Sequence, residues 1–147
     1  MQMKLQPYHR SFLPAVHRWR SEKDSQAYNP LLVLPPEELS QHLERDGASL
    51  ELFRTELTQR RFMIVNGAPV GTVSLQNIAH FMGTAELGYM VGEEFRGRGY
   101  AGMGVGLFID ELFSRTELRR ITALVHEDNA ASCRVLAKLG FAREGLL

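Results

Sequence analysis

The sequence predicts a mixed α/β domain built on one mostly antiparallel sheet. Three observations predict it. The apolar period changes from helical over residues 11–57 to short, alternating runs from residue 62 onward. An Asn66-Gly67 pair joins two of those runs, a strong hairpin signal. A strand, a helix and a second strand follow between residues 85 and 125, the order of a parallel crossover.

Each element has its own local reason. Residues 3–7 read as a short strand ended by Pro7. Ser11 caps a first helix through Phe12, Val16 and Trp19. Residues 21–34 are polar and run into Pro35-Pro36, so they read as a loop. Pro36 with Glu37 and Glu38 opens a second helix, because proline suits a first turn and acids suit its positive end. Leu39, Leu43, Leu50, Phe53 and Leu57 keep one apolar face there, and Gly47 breaks or kinks it. Residues 62–65 and 69–75 are the hairpin strands, and residues 85–91 a third strand. From Tyr100 to Phe113, Ala101, Val105, Phe108 and Leu112 recur at helical spacing. Residues 120–125 are β-branched and apolar, and read as a buried strand. Asn129 caps a last helix with Cys133, Leu136 and Leu139 inward, and Gly140 ends it. Phe141 starts a final extended piece that stops at Leu147.

Composition narrows the function classes. The chain has 147 residues, 44% hydrophobic and 23% charged, as expected for one soluble globular domain over residues 1–147. Its 17 Lys+Arg balance 17 Asp+Glu, so it lacks the basic excess that coating nucleic acid needs. With Cys133 alone no intrachain disulfide forms, and a reduced, cytoplasmic setting is expected. Cys133 itself reads as a small buried hydrophobe. No apolar run reaches the roughly 20 residues of a membrane span. His9, His17, His42, His80 and His126 show no ligand spacing, so no metal is expected.

The stretch that carries chemistry is Val91-Gly92-Glu93-Glu94-Phe95-Arg96-Gly97-Arg98-Gly99-Tyr100-Ala101-Gly102. It joins a strand to a helix through a glycine-rich turn. Glycines let backbone N–H groups approach a ligand, and the helix start adds partial positive charge. Arg96 and Arg98 add fork-shaped cationic donors, so the segment suits several phosphates. A plainer alternative is that they balance Glu93 and Glu94. Gly97, Gly99 and Gly102 also match G-x-G-x-x-G. The dinucleotide fingerprint, however, places its first glycine directly after the strand and an acid about 20 residues on. Here four residues intervene, and Glu127 and Asp128 come late.

Arg96-x-x-Gly99-x-Ala101 resembles the Q/R-x-x-G-x-G/A signature of the GNAT superfamily of acyl-CoA-dependent N-acyltransferases. Glu86-Leu87-Gly88-Tyr89, Arg96-Gly97-Arg98-Gly99-Tyr100-Ala101, Asn129-Ala130-Ala131-Ser132 and Lys138-Leu139-Gly140-Phe141 are similar to the RimJ/RimL branch, which includes acetyltransferases of ribosomal-protein N-termini. Trp19-Arg20 resembles the same branch. The resemblance runs over about residues 84–145 and is diffuse before that.

The resemblance implies a GNAT fold with a splayed central strand pair and about four flanking helices. It implies acetyl-CoA as cosubstrate and a primary amine as acceptor, on a protein N-terminus or a small molecule. Pantetheine would pair with the backbone at Met90 and Val91, one of whose N–H groups would face the oxyanion. Residues 97–102, with Arg96 and Arg98, would hold the pyrophosphate. Asn129 matches a contact to the pantetheine arm, although asparagine there is also a good helix cap. Ser132 matches the serine near the sulfur and would protonate the leaving thiolate. Glu86, through water, is the candidate base, and Trp19 and Tyr89 are the candidate acceptor contacts. Glu22, Asp24, Glu37 and Glu38 with Lys23 give the acceptor segment 21–38 a slight acidic lean.

Two departures stand out. Many members carry a tyrosine acid seven residues after the Asn129 position, where this chain has Leu136. The family's last strand has no counterpart before Leu147, so truncation, a shorter edge or a second protomer in a homodimer would account for it. A non-catalytic acetyl-CoA sensor is the rival from another class.

Overall fold

The structure is a computed structural model that describes residues 2–22, 34–45, 58–79, 82–123 and 130–142. The expected positions Gly47, Leu50, Phe53, Leu57 and Asn129, and the final extended piece beyond Ala142, lie outside the described residues.

Strands β1 (Met3–Gln6), β2 (Gln59–Val65), β3 (Ala68–Ala79), β4 (Thr84–Val91) and β5 (Arg120–Ala123) form one sheet in the order β1-β2-β3-β4-β5. The first four pair antiparallel, and β4 pairs β5 in parallel, from Thr84 opposite Arg120 to Leu87 opposite Ala123. The β2–β3 turn places Asn66 and Gly67 at φ 51° and 77°. Those left-handed values are what a two-residue hairpin needs and what Asn-Gly tolerates best.

Four α-helices flank the sheet among the described residues: α1 (Leu13–Arg20), α2 (Pro36–Arg45), α3 (Tyr100–Arg115) and α4 (Ala130–Lys138). None is long and apolar enough to cross a membrane. Because strand side chains alternate, the sheet separates two apolar clusters. Met63, Val65, Val73, Leu75, Ala85 and Leu87 face α3 through Val105, Phe108 and Leu112. Phe62 and Ile64 face α1 and α2 through Phe12, Val16, Trp19, Leu39 and Leu43. Each such side chain contributes on the order of 1.5–3 kcal/mol when fully buried. Arg61, nearly buried, pairs with Glu111 and lies over the Phe108 ring, which ties β2 to α3.

Three local expectations need correction. Ser11 is not the cap of α1. A 3-10 turn over Arg10–Phe12 precedes that helix, and the His9 side chain accepts the Ser11 N–H at 3.1 Å. The Ser11 hydroxyl is occupied instead by His9 Nδ1 at 2.7 Å. Strand β5 is half-exposed rather than buried, since it stands at the edge of the described sheet. Cys133 is exposed, not inward; only Leu136 of its helix is fully buried among the described residues, with Leu139 half-buried.

Candidate active site

Strand β4 leads into Gly92, a 3-10 turn at Glu93–Phe95 and then the start of α3. Gly97 and Gly99 adopt φ 78° and 80°, left-handed values that side chains resist, so glycine is favoured at both. Gly99 is the N-cap of α3 and brings no side-chain cap, which leaves the first-turn N–H groups open to an external acceptor. A Cβ at Gly97, Gly99 or Gly102 would meet nothing within 4 Å, so open space lies in front of the turn. A 16-residue helix aims its positive end at that space.

The two arginines of this turn have different surroundings. Arg98 is exposed; it donates to the Glu94 carbonyl at 3.4 Å and lies over the Phe95 ring. Arg96 turns back, donating from Nε to the Val91 carbonyl at 3.2 Å and from its guanidinium to Glu22 at 3.4 Å. Both carboxylate oxygens of Glu22 also accept the Glu93 N–H at 3.1 Å. Burial pushes the Glu22 carboxyl above its usual range, against the lowering effect of that N–H and of Arg96. Glu22, whose acid was expected to shape acceptor choice, thus braces the turn.

On the opposite face of the sheet, a cleft of about 260 Å³ lies between α1, α2 and strands β2 to β4. Trp19, Arg20, His42, Arg60, Thr72, Ser74 and Gln76 are among the residues that line it. Among the described lining residues the formal charges are those of Arg20 and Arg60. Sequence reasoning missed these polar positions. Their signal was present on β3, where Thr72, Ser74 and Gln76 alternate with Val73 and Leu75 and so share one face.

Trp19 borders the cleft as expected. Its ring is fully buried, and its Nε1 has no hydrogen-bond partner among the described residues. Gly92 passes so close that an added Cβ would sit 2.3 Å from that nitrogen. Met90 and Tyr89 also line the cleft. The Tyr89 ring nevertheless packs on the α3-side cluster, and its hydroxyl donates to the Ser132 carbonyl at 3.3 Å. Burial pushes the phenol above its usual value, against a lowering effect of the Ser132 side chain. The structure therefore brings Tyr89 and Ser132 together across β4 and α4. Glu86 is not a lining residue. It accepts from Gln76 at 3.3 Å and from Asn77 at 3.1 Å, and Gln76 stands between it and the cleft. Leu136, at the position where many GNAT members carry tyrosine, is buried in the core and offers no proton.

A family model described as the acetyltransferase (GNAT) domain matches residues 2–142. The chain belongs to the GNAT acetyltransferase family. Over 78 residues this GNAT domain is 38% identical to an uncharacterized N-acetyltransferase, p20, of Bacillus licheniformis, covering 53% of this chain and 44% of that one. It is 31% identical over 91 residues to spermidine N(1)-acetyltransferase of Escherichia coli strain K12, covering 61% and 49%. The chain thus spans about half the length of the curated relatives it matches. Among solved structures, a RimL ribosomal L7/L12 α-N-protein acetyltransferase in complex with coenzyme A superposes with a TM-score of 0.84 at 22% identity, over 99% of this chain and 82% of that one. That likeness shows a shared fold, with its mixed five-stranded sheet and flanking helices.

Proposed function

We propose that this GNAT domain is an N-acetyltransferase that moves an acetyl group from acetyl-CoA to a primary amine in a ternary complex. One observation carries the reading: the left-handed glycine turn at Gly97–Gly99 opens an uncapped helix N-terminus at the end of β4, while the acceptor-sized cleft reaches the same strand from the other face. The residues present fit the cosubstrate. Backbone N–H groups over residues 97–102 and the exposed Arg98 would hold phosphate with Arg96 supporting the turn from behind, and the family resemblance puts Asn129, outside the described residues, at the pantetheine arm.

Acetyl-CoA supplies a thioester carbonyl and a thiolate leaving group. A backbone N–H at Met90 or Val91 faces the charge that develops on the carbonyl oxygen. Ser132 gives a proton to the leaving sulfur. An amine is mostly protonated near neutral pH, so a base must accept its proton. Glu86, reached from the cleft through Gln76 and water, takes that role. Trp19, fully buried, backs the acceptor cleft and Tyr89 borders it. Relatives named for spermidine and for ribosomal proteins support an amine on a small molecule or a protein N-terminus as acceptor. Their naming also favours a cytoplasmic setting.

The test is release of free CoA thiol from acetyl-CoA with spermidine and with a short peptide bearing N-terminal serine. Acceptor-dependent release supports the reading. Binding of CoA with no thiol released by either acceptor would instead favour a non-catalytic sensor.

A further inference from the structure

The cleft between α1, α2 and the sheet has a polarity set by strand register. Arg60 on β2 pairs with Ser74 on β3, and Ser74 pairs with Gly88 on β4, so the three stand in one cross-strand row. All three line the cleft. The neighbouring row joins Gln76 to Glu86. The β2 side of the floor therefore carries a guanidinium. The β4 side carries a carboxylate, held behind the Gln76 amide by bonds of 3.3 Å from Gln76 and 3.1 Å from Asn77.

The middle of the row suits a small polar molecule lying across the strands. The Ser74 hydroxyl donates to the Gln76 amide oxygen at 3.1 Å, so its lone pairs can accept an N–H. Gly88 keeps the floor low beside it; a Cβ there would lie 2.9 Å from Ser74 Oγ. Arg20, 6% exposed, brings a second guanidinium from the end of α1. A guanidinium has five N–H donors in a fork, enough to serve the protein and a bound carboxylate together. Two strand spacings, about 9.5 Å, separate the Arg60 and Gly88 backbones, and the long arginine side chain spans much of that distance.

We propose that the acceptor is a primary amine carrying a carboxylate within the reach of an acidic side chain, and that Arg60 selects it. The amine lies over Gly88, beside the Gln76–Glu86 pair, and Ser74 accepts one of its N–H groups. The carboxylate points toward β2 and takes a charge-assisted, fork-shaped pair from Arg60, with the Arg20 charge adding to the attraction. A polyamine fits this polarity badly. With one amine over Gly88, its remaining ammonium groups extend toward the guanidinium side and set like charge against like. The inference rests on the acetyl-transfer reading above and narrows its acceptor to one charge type; it does not depend on the proton path.

The test measures CoA thiol release by the full chain from acetyl-CoA with Ser-Asp amide, Ser-Asn amide and spermidine. The two dipeptide amides share shape and amine and differ by one negative charge. For wild type, kcat/KM with Ser-Asp amide should exceed that with Ser-Asn amide, and that with spermidine, by about tenfold or more, the scale of one hydrogen bond between charged groups. The gain should appear mainly in KM, as expected of an interaction made equally in the ground and transition states. Arg60→Gln should cut the acid-over-amide ratio to under about threefold, and Arg60→Lys, which keeps the charge, should retain more of it than Arg60→Gln does. The wild-type comparison needs no variant to fold. Equal kcat/KM for the two dipeptides, spermidine as the better acceptor, or a ratio untouched by Arg60→Gln would each overturn the assignment while leaving acetyl transfer intact. No thiol release by wild type with any of the acceptors would overturn both.

Discussion

The Arg96 guanidinium lies 3.4 Å from the Glu22 carboxylate, and the same carboxylate accepts the Glu93 N–H. The end of α1 and the turn before α3 are therefore held together by a pair separated by 74 residues in sequence. Arg96 also holds the Val91 carbonyl, so one side chain links the end of β4, the turn and α1. That arrangement gives different surroundings to two arginines that look alike in the sequence.

Replacing Arg98 by alanine should weaken acetyl-CoA binding by about three- to tenfold, the effect of losing one charge-assisted contact, with little change in stability. Replacing Arg96 by alanine should instead lower stability by about 1–2 kcal/mol, or a few degrees in Tm for a chain of this size. Calorimetry with acetyl-CoA and thermal unfolding of both variants separate the two. Equal losses of affinity and equal stability would mean both arginines act on the phosphates.

Glu22 carries a pH signature of known sign. Its carboxyl is raised above the ordinary 4.5 by burial, so between that value and its folded one the native state keeps a proton that the unfolded chain has released. Stability from this group is therefore lost as pH rises through that window. Glu22→Gln removes the titration. Its stability relative to wild type should increase from about pH 4 to about pH 7. Urea unfolding of both proteins across that range checks it, and a difference that stays constant or declines argues against a raised carboxyl.

The parts of this molecule that the sequence made legible are those with a local cause. Asn66-Gly67 turns because those two residues tolerate left-handed backbone, and Pro36-Glu37-Glu38 starts a helix because of its own chemistry. Gly97 and Gly99 belong to the same class. What was not legible depends on packing between distant segments. Ser11 does not cap α1 because a 3-10 turn, itself capped by His9, precedes the helix and leaves Phe12 as its N-cap. Tyr89 borders the cleft beside Met90, but the contact of its hydroxyl with Ser132, 43 residues away, had no local signal. The contact of Arg96 with Glu22 was not legible either, because nothing near Arg96 in sequence announces a partner 74 residues away.

Gly92 should be the least replaceable glycine at the site. An added Cβ would lie 2.3 Å from Trp19 Nε1 and 2.8 Å from two ring carbons, atoms of a rigid, fully buried ring rather than the end of a flexible side chain. Overpacking of this kind costs about 1–3 kcal/mol. Gly104 is a useful contrast. Its Cβ would meet the flexible end of Met63 at 2.6 Å, and alanine gains about 1 kcal/mol of helix propensity inside α3. Denaturant unfolding should show Gly92→Ala losing about 2 kcal/mol or more and Gly104→Ala under about 1 kcal/mol. The reverse order would mean that the tryptophan, not the methionine, is the adaptable neighbour.

Glu111 offers a test of which ion pair matters for stability. It meets Arg61 on one side and Arg115 on the other, the latter at 3.4 Å one helical turn away. Arg61 is 9% exposed and lies over Phe108, so its charge has little water to fall back on. The Arg115 side chain is 65% exposed, and pairs of that kind are worth about 0.5 kcal/mol or less. Arg115→Ala should therefore be nearly silent in denaturant unfolding, while Glu111→Ala should cost about 1–3 kcal/mol by taking the carboxylate from a nearly buried guanidinium. Salt distinguishes them further. Screening acts on the exposed pair and much less on the buried one, so the Glu111→Ala loss should persist at about 1 M salt. A loss that vanished at high salt would place the worth of Glu111 at the surface rather than in the β2–α3 contact.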